Sequence, residues 1–248
     1  MKAFIYDGKS RTQYNNPSFT SSHNTDSGKG VSSEEWIIRA NSTYSSSGYP
    51  FYKIFDKNLT TSWTSDEYNH SLDVNETIGG VTTQCKKARD VDEINVIRVD
   101  FPIPLSNITF TFTNRSTNNN DSSNYTAGPI RAYFYTSDTA LTLATIQQKT
   151  YDGEVPFFQK DNPNWNVPSS QFVCNLNNIT PYQYLGVSFP ITGKWSNHSS
   201  TSSREELRYM AIGELSISGY DRYANNWKEA SIYVNDGSNW QPGSLTIS

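Results

Sequence analysis

With two cysteines, two methionines and three histidines in 248 residues, this sequence has little of what metal and redox centres are commonly made from. Cys85 and Cys174 stand far apart and show neither metal-ligand nor dithiol spacing. They read as two buried thiols, and the sequence leaves a disulfide between them open. His23, His70 and His198 each sit in an Asn- and Ser-rich stretch, so no metal triad is spelled out. There is no Gly-x-Ser-x-Gly elbow, no His-Glu-x-x-His helix and no phosphate loop. The acidic pairs Glu34-Glu35 and Glu205-Glu206 are chain neighbours, not two carboxylates spaced across a scissile bond. The chain is accordingly read as non-catalytic.

Cationic runs are scarce too. The longest, Lys86-Lys87-Ala88-Arg89, is followed at once by Asp90, Asp92 and Glu93, and reads as a solvated loop. The net charge is −4, from 20 Lys and Arg against 24 Asp and Glu. That balance offers no dense stripe for phosphates and argues against nucleic acid as a partner. No apolar run approaches the ~20 residues of a membrane-spanning helix. Met1 to Gly8 lacks the apolar core of a secretory signal, so the expectation is synthesis in a cytoplasm, or a mature form.

What is abundant is aromatic and polar. Aromatics make up 14% of the chain and charged residues 18%, among many Asn, Ser and Thr, a mixture that favours strands and long polar loops. Asn-x-Ser/Thr triplets at Asn41, Asn58, Asn69, Asn75, Asn107, Asn114, Asn124, Asn178 and Asn197 follow from that composition and are not read as glycosylation sites.

Strand signals dominate. Residues 94–101 and 108–112 alternate with period two, and Pro102 and Pro104 between them predict a turn or a sheet edge. Residues 130–135, 171–176, 184–189 and 214–218 are further candidate strands, with almost no helical periodicity anywhere. Polar inserts at 116–124 and 196–203 predict exposed loops. Short strands with loops at both ends predict an all-β fold of two packed antiparallel sheets. The ends echo each other: residues 3–8 and 230–237 each run a short alternating strand into Asp-Gly, a hairpin signal. Such arms are marginal alone, so they are expected to pair with each other, a neighbouring subunit or another protein.

Residues 36–65 carry a recognisable pattern. Trp36-Ile37-Ile38-Arg39-Ala40 leads into a Ser-rich stretch, then Ile54-Phe55-Asp56-Lys57-Asn58, then Thr60-Thr61-Ser62-Trp63. This resembles the opening of discoidin-like domains (coagulation factor 5/8 type C, galactose-binding-like), with Lys57 where glycine is usual. Val99-Asp100-Phe101, Tyr184-Leu185-Gly186-Val187 and Tyr209 to Leu215 resemble later strands of that family in the same order. The resemblance covers roughly residues 30–220. It implies a discoidin-like antiparallel β-sandwich, or jelly roll, over 30–220, with an N-terminal arm at 1–29 and a C-terminal β-hairpin arm at 221–248. It also implies a structural Ca²⁺ held by Asp56, Asn58, Thr61, the carbonyl of Ala211 and the carboxylate of Glu214. The residue chemistry alone allows a second reading, in which Asp56 and Thr61 merely cap their own turn. Trp36 and Trp63 read as core, and Trp165 as the anchor of its own loop.

Discoidin-like domains bind glycans, lipid head groups or proteins through loops at one end. The loop residues suited to a sugar are Tyr68 with His70, and Trp195 with Lys194 and Asn197. The segment Trp227 to Trp240 resembles a Trp-Lys-x-Ala-x-x-x-Val-x-Asp-Gly-x-x-Trp hairpin that recurs in bacteriophage tail, fibre and collar proteins. That resemblance implies a virion protein assembled in the host cytoplasm as a homo-oligomer, contacting other virion proteins and a host-surface glycan. A purely structural virion adaptor and a non-viral carbohydrate-binding module or adhesin are the alternatives.

Overall fold

The computed structural model describes residues 3–6, 11–21, 30–33, 35–43, 50–65, 72–116, 128–165, 167–193, 210–221, 227–230, 233–235 and 240–242. The first strands are β1 (Ala3–Tyr6), β2 (Gln13–Asn15), β3 (Gly30–Ser32) and β4 (Ile37–Ala40). A 3-10 turn at Phe51–Phe55 leads to β5 (Trp63–Thr64), β6 (Leu72–Ile78) and β7 (Val81–Lys87). After a second 3-10 turn at Val91–Glu93 come β8 (Asn95–Thr113), β9 (Pro129–Ser137) and the helix α1 (Leu143–Tyr151). The chain continues through β10 (Phe158–Asp161), β11 (Gln171–Asn175), β12 (Tyr182–Gly193), β13 (Ala211–Ile212) and β14 (Glu214–Asp221). It ends with β15 (Trp227–Ala230), β16 (Tyr233–Asn235) and β17 (Trp240–Pro242).

The 19-residue β8 belongs to both layers. Its first part, Asn95 to Asp100, lies between β12 and β4. Its last part, through Thr113, lies between β14 and β11. One sheet therefore runs β3-β4-β8-β12-β9-β10 and the other β11-β8-β14-β2, with every pairing antiparallel. Between them the chain buries Val99, Phe110, Phe112, Phe134, Phe172, Leu185, Phe189, Leu215 and Ile217, among others, in one continuous core. This is an antiparallel β-sandwich.

Pro102 and Pro104 do not break the strand, contrary to the sequence expectation. Residues 101–104 have no register partner among the described residues of either sheet, so a residue without an N–H sacrifices no ladder bond there. The buried side changes across this corner, from Ile97, Val99 and Phe101 to Ile108, Phe110 and Phe112. A strand that passes from one sheet to the other needs such an irregularity.

Two further expectations are corrected. The basic run is not a loop as a whole: Lys86 and Lys87 end β7, and Lys86 is buried with its Nζ 2.7 Å from Asp73. And the chain does contain a helix. Periodicity missed α1 because only Ile146 and Thr150 of its nine residues are buried. The helix starts at Thr142, whose side chain accepts from the Thr145 amide at 3.0 Å, satisfying one open donor of the first turn. It lies on the outer face of the first sheet over Gly186, where a Cβ would stand 2.6 Å from Ile146 Cγ1.

The arms pair within the chain. β1 runs against β15, from Ala3 opposite Ala230 to Tyr6 opposite Trp227, while β16 and β17 form their own hairpin. β2 adds an edge strand to the sandwich beside β14. No helix among the described residues is long and apolar enough to cross a membrane.

Candidate cation site and loop end

The turn after Phe55 is shaped by what flanks it. Phe51, Ile54 and Phe55 are buried, and Phe51 packs edge-on against Trp63 with ring centroids 5.3 Å apart. Trp36 and Trp63 are both core residues, as their setting in the sequence suggests. Between these anchors the polar segment from Asp56 to Thr61 must reverse direction at the surface. Lys57 does so with φ +60°, a left-handed conformation that glycine adopts without strain and lysine does not.

Local hydrogen bonds close the turn. The Asn58 amide donates to Asp56 Oδ1 at 2.9 Å. The Thr61 hydroxyl lies 2.9 and 3.0 Å from the two Asp56 carboxylate oxygens and 2.8 Å from the Asn58 carbonyl. Asn58 Oδ1 accepts from the amide and hydroxyl of Thr60, at 3.1 and 2.7 Å. Lys53 Nζ stands 3.8 Å from Asp56 Oδ2. This is the capping that the residue chemistry alone allows.

Glu214 reaches the same turn from near the other end of the chain. β5 pairs with β13, Trp63 opposite Ile212 and Thr64 opposite Ala211. Ser65 and Met210 extend that pairing, with the Ser65 amide 2.8 Å from the Met210 carbonyl. At Gly213 the chain steps across to β8, its amide donating to the Thr113 carbonyl at 2.8 Å. A Cβ there would stand 3.0 Å from the Asn114 carbonyl oxygen, so the close approach suits glycine. Glu214 follows directly, opposite Thr113. Its carboxyl lies close enough to Asp56 and to the amides of Lys57 and Asn58 for all three to act on it electrostatically. Burial, then the nearby Asp56 carboxylate, push the Glu214 carboxyl up to about 7, outweighing the two amides. Among the described residues, no hydrogen-bond partner reaches the buried Glu214 Oε1.

Asp56, Asn58 and Thr61 thus share one turn that Glu214 approaches, and Ala211 is buried on β13. Among the described residues no three His, Cys, Asp or Glu side chains gather as a metal cluster. An ion here would take two carboxylates and complete its shell from hydroxyl and carbonyl oxygens, a donor set that suits a hard cation. Sequence reasoning missed Lys53 and Thr60, whose parts in the turn depend on local geometry. Tyr68, His70, Lys194, Trp195 and Asn197 lie outside the described residues.

Neighbouring loops are held by other buried polar groups. Asn114 donates to the carbonyls of Asn164 and Val167, at 2.7 and 3.0 Å, and to Ser170 Oγ at 2.9 Å. Trp165 packs in a second cluster with Ile78, Cys85, Ile130 and Ile191. Cys85 and Cys174 are unbonded and buried in different clusters. Burial pushes their thiols up, to about 11 and about 12.

No family model matches the chain, and no curated protein does. Solved structures do. The family 32 carbohydrate-binding module of Clostridium perfringens NanJ, solved with galactose, is 10% identical, covering 77% of this chain and 98% of that one with a TM-score of 0.41. A putative chitobiase fragment from Bacteroides thetaiotaomicron is 15% identical over 77% of this chain and 92% of that one, with a TM-score of 0.43. An F5/8 type C domain from Bacteroides fragilis is 11% identical over 77% and 96%, with a TM-score of 0.44.

Proposed function

We propose that this chain is a non-catalytic glycan-binding β-sandwich whose loop end is braced by a cation between Asp56 and Glu214. The observation that carries this reading is the Asp56–Glu214 contact. Two carboxyl groups from distant parts of the chain lie near each other, and one buried Glu214 oxygen has no hydrogen-bond partner among the described residues. Buried polar atoms are ordinarily satisfied, so an orphan oxygen near a second carboxylate suits a bound cation. Asp56, Asn58, Thr61, Ala211 and Glu214 would hold it. The ion would replace repulsion with attraction and tie the turn at 56–61 to the closing strand. A braced rim is what a loop-borne sugar site requires.

The test is a glycan array on the full chain, run with Ca²⁺ and again with chelator. Saturable binding to a defined sugar that weakens on chelation and in Asp56→Asn supports both parts. Binding indifferent to Ca²⁺ removes the cation and leaves the glycan reading. No binding to any glycan moves the weight to a structural adaptor.

Of the functional readings, the glycan-binding module asks least, because it needs only the sandwich and its loops. The bacteriophage reading adds a claim about surroundings, supported by the resemblance of residues 227–240. Mass spectrometry of purified virions decides it, since a virion protein must be found there.

A further inference from the structure

The outer face of the first sheet carries a groove that the loop-end reading does not use. Lys87 on β7 and Arg131 on β9 both stand opposite Ile191 of β12, and all three line it. Arg89, just past β7, adds another cation, and Glu76 and Glu154 supply the carboxylates. Residues 153–156, after α1, complete a wall around a space of about 580 Å³. Small-molecule sites run from about 300 to 1,000 Å³.

These charges are unevenly engaged. Arg131 is held by Glu76, whose Oε2 is 3.3 Å from Nη1, and by Asp161, which lies beyond the lining and accepts from Nε at 2.6 Å. Glu154 Oε2 is 2.5 Å from Lys149 Nζ. Lys87 and Arg89 are exposed, and among the described residues no carboxylate pairs with either side chain. Glu93 accepts from the Arg89 main-chain amide at 3.2 Å and stands outside the lining. The groove therefore holds two unspent cations beside carboxylates that already have partners.

We propose that this groove binds an acidic saccharide, with the sugar's carboxylate on Lys87 and Arg89. A carboxylate there makes charge-assisted hydrogen bonds to both side chains, the stronger kind. Glu76 and Glu154 keep lone pairs beyond those their partners use, and only donors satisfy them, which sugar hydroxyls are. The partly buried Tyr133 ring and the Ile191 and Pro190 side chains give apolar surface to sugar C–H groups. Other classes match less of the lining. A neutral sugar leaves the two free cations unused. A fatty acid would lay its chain across the Arg131–Glu76 pair and strip its water without replacing the hydrogen bonds. An acidic peptide meets the cations but brings few hydroxyls to the carboxylates.

The inference rests on the glycan-binding reading and adds the charge of the ligand, on residues other than Tyr68 and Trp195. It is tested by titrating the full chain with glucuronic and galacturonic acids beside glucose and galactose, by calorimetry and saturation-transfer NMR. Each acid differs from its parent sugar only in a carboxylate where the parent has a hydroxymethyl group. Wild type is compared with Lys87→Gln and Arg89→Gln, whose side chains are exposed, each first checked by thermal melting. The expected result is that an acid binds at least about tenfold tighter than its parent, and that either variant removes the difference. Added salt should weaken the acid and spare the parent, because exposed charges are screened. Equal binding of acid and parent, or a preference that survives in both variants, overturns the proposal. So does displacement of the acid by a glutamate tripeptide at equal concentration, which would make this a site for acidic peptides. If neither acid binds while a neutral sugar does, the groove fails and the glycan-binding reading stands; if no sugar binds in solution or on the array, both fail.

Discussion

At the scale of single residues, Glu214 makes stability depend on pH in an unusual direction. An ordinary surface glutamate titrates near 4.3 in folded and unfolded chain alike. Glu214 is held up to about 7 in the fold, so between roughly 4.5 and 7 the folded state keeps a proton that the unfolded state has lost. Its contribution is therefore fully present below the unfolded value and is lost as pH rises through about 7. Melting of chelator-treated protein is expected to show this fall, by about 1–2 kcal/mol after allowance for solvent screening. Glu214→Gln should flatten it. Added Ca²⁺ should stabilise wild type more at pH 8 than at pH 5, because binding must displace the proton.

Lys57 is the second residue with a local consequence. Its left-handed backbone is strained for any side chain with a Cβ. Lys57→Gly relieves that strain and adds freedom to the unfolded chain, leaving a net gain of about 0.5–1 kcal/mol. Chemical denaturation measures it directly; a loss of stability would mean that the lysine side chain contributes more than its backbone costs. Two of the Asn-x-Ser/Thr triplets also find their explanation here. Asn114 and Asn178 are buried, and Asn178 Oδ1 accepts from the Ile108 amide at 2.9 Å, so these asparagines serve the fold as polar pins.

At the scale of elements, α1 shows how a short helix is held without an amphipathic stripe. One apolar side chain, Ile146, presses on Gly186, and the Thr150 hydroxyl lies 2.7 Å from Ser188 Oγ. Gly186→Ala would force a Cβ into Ile146 and should cost about 1–3 kcal/mol. Coupling Gly186→Ala with Ile146→Ala tests the cause. The double variant should be less destabilised than the sum of the two, because the smaller side chain makes room for the methyl. Strict additivity would place the strain elsewhere. The prolines of β8 belong to the same scale: a sequence pattern marks them as breakers, yet the corner they occupy asks for no ladder N–H.

At the scale of the whole molecule, β8 joins the two sheets through one backbone, and the core between them is continuous. Truncation at either end of that strand should therefore be felt in both layers. Phe110→Ala is expected to cost about 3–5 kcal/mol, and a single transition should be seen by calorimetry, tryptophan fluorescence and far-UV circular dichroism. Two separated transitions would show that the sheets unfold independently.

What the sequence determined by itself was local and periodic. Alternation of apolar and polar residues marked the strands at 94–101, 108–112, 130–135, 171–176, 184–189 and 214–218, because each buries one face against a core. The run from Phe51 to Trp63 likewise displayed its turn, since aromatic anchors flank a polar reversal. Tertiary structure decided whatever depends on segments distant in the chain. Only the pairing of β5 with β13 brings Glu214 to Asp56 and raises its affinity for a proton. Only the β9–β10 register and the β6–β7 hairpin gather Arg131, Asp161 and Glu76 on one outer face. In the sequence these are unremarkable polar positions of three separate strands. Their chemistry arises from proximity and burial, neither of which a linear pattern encodes.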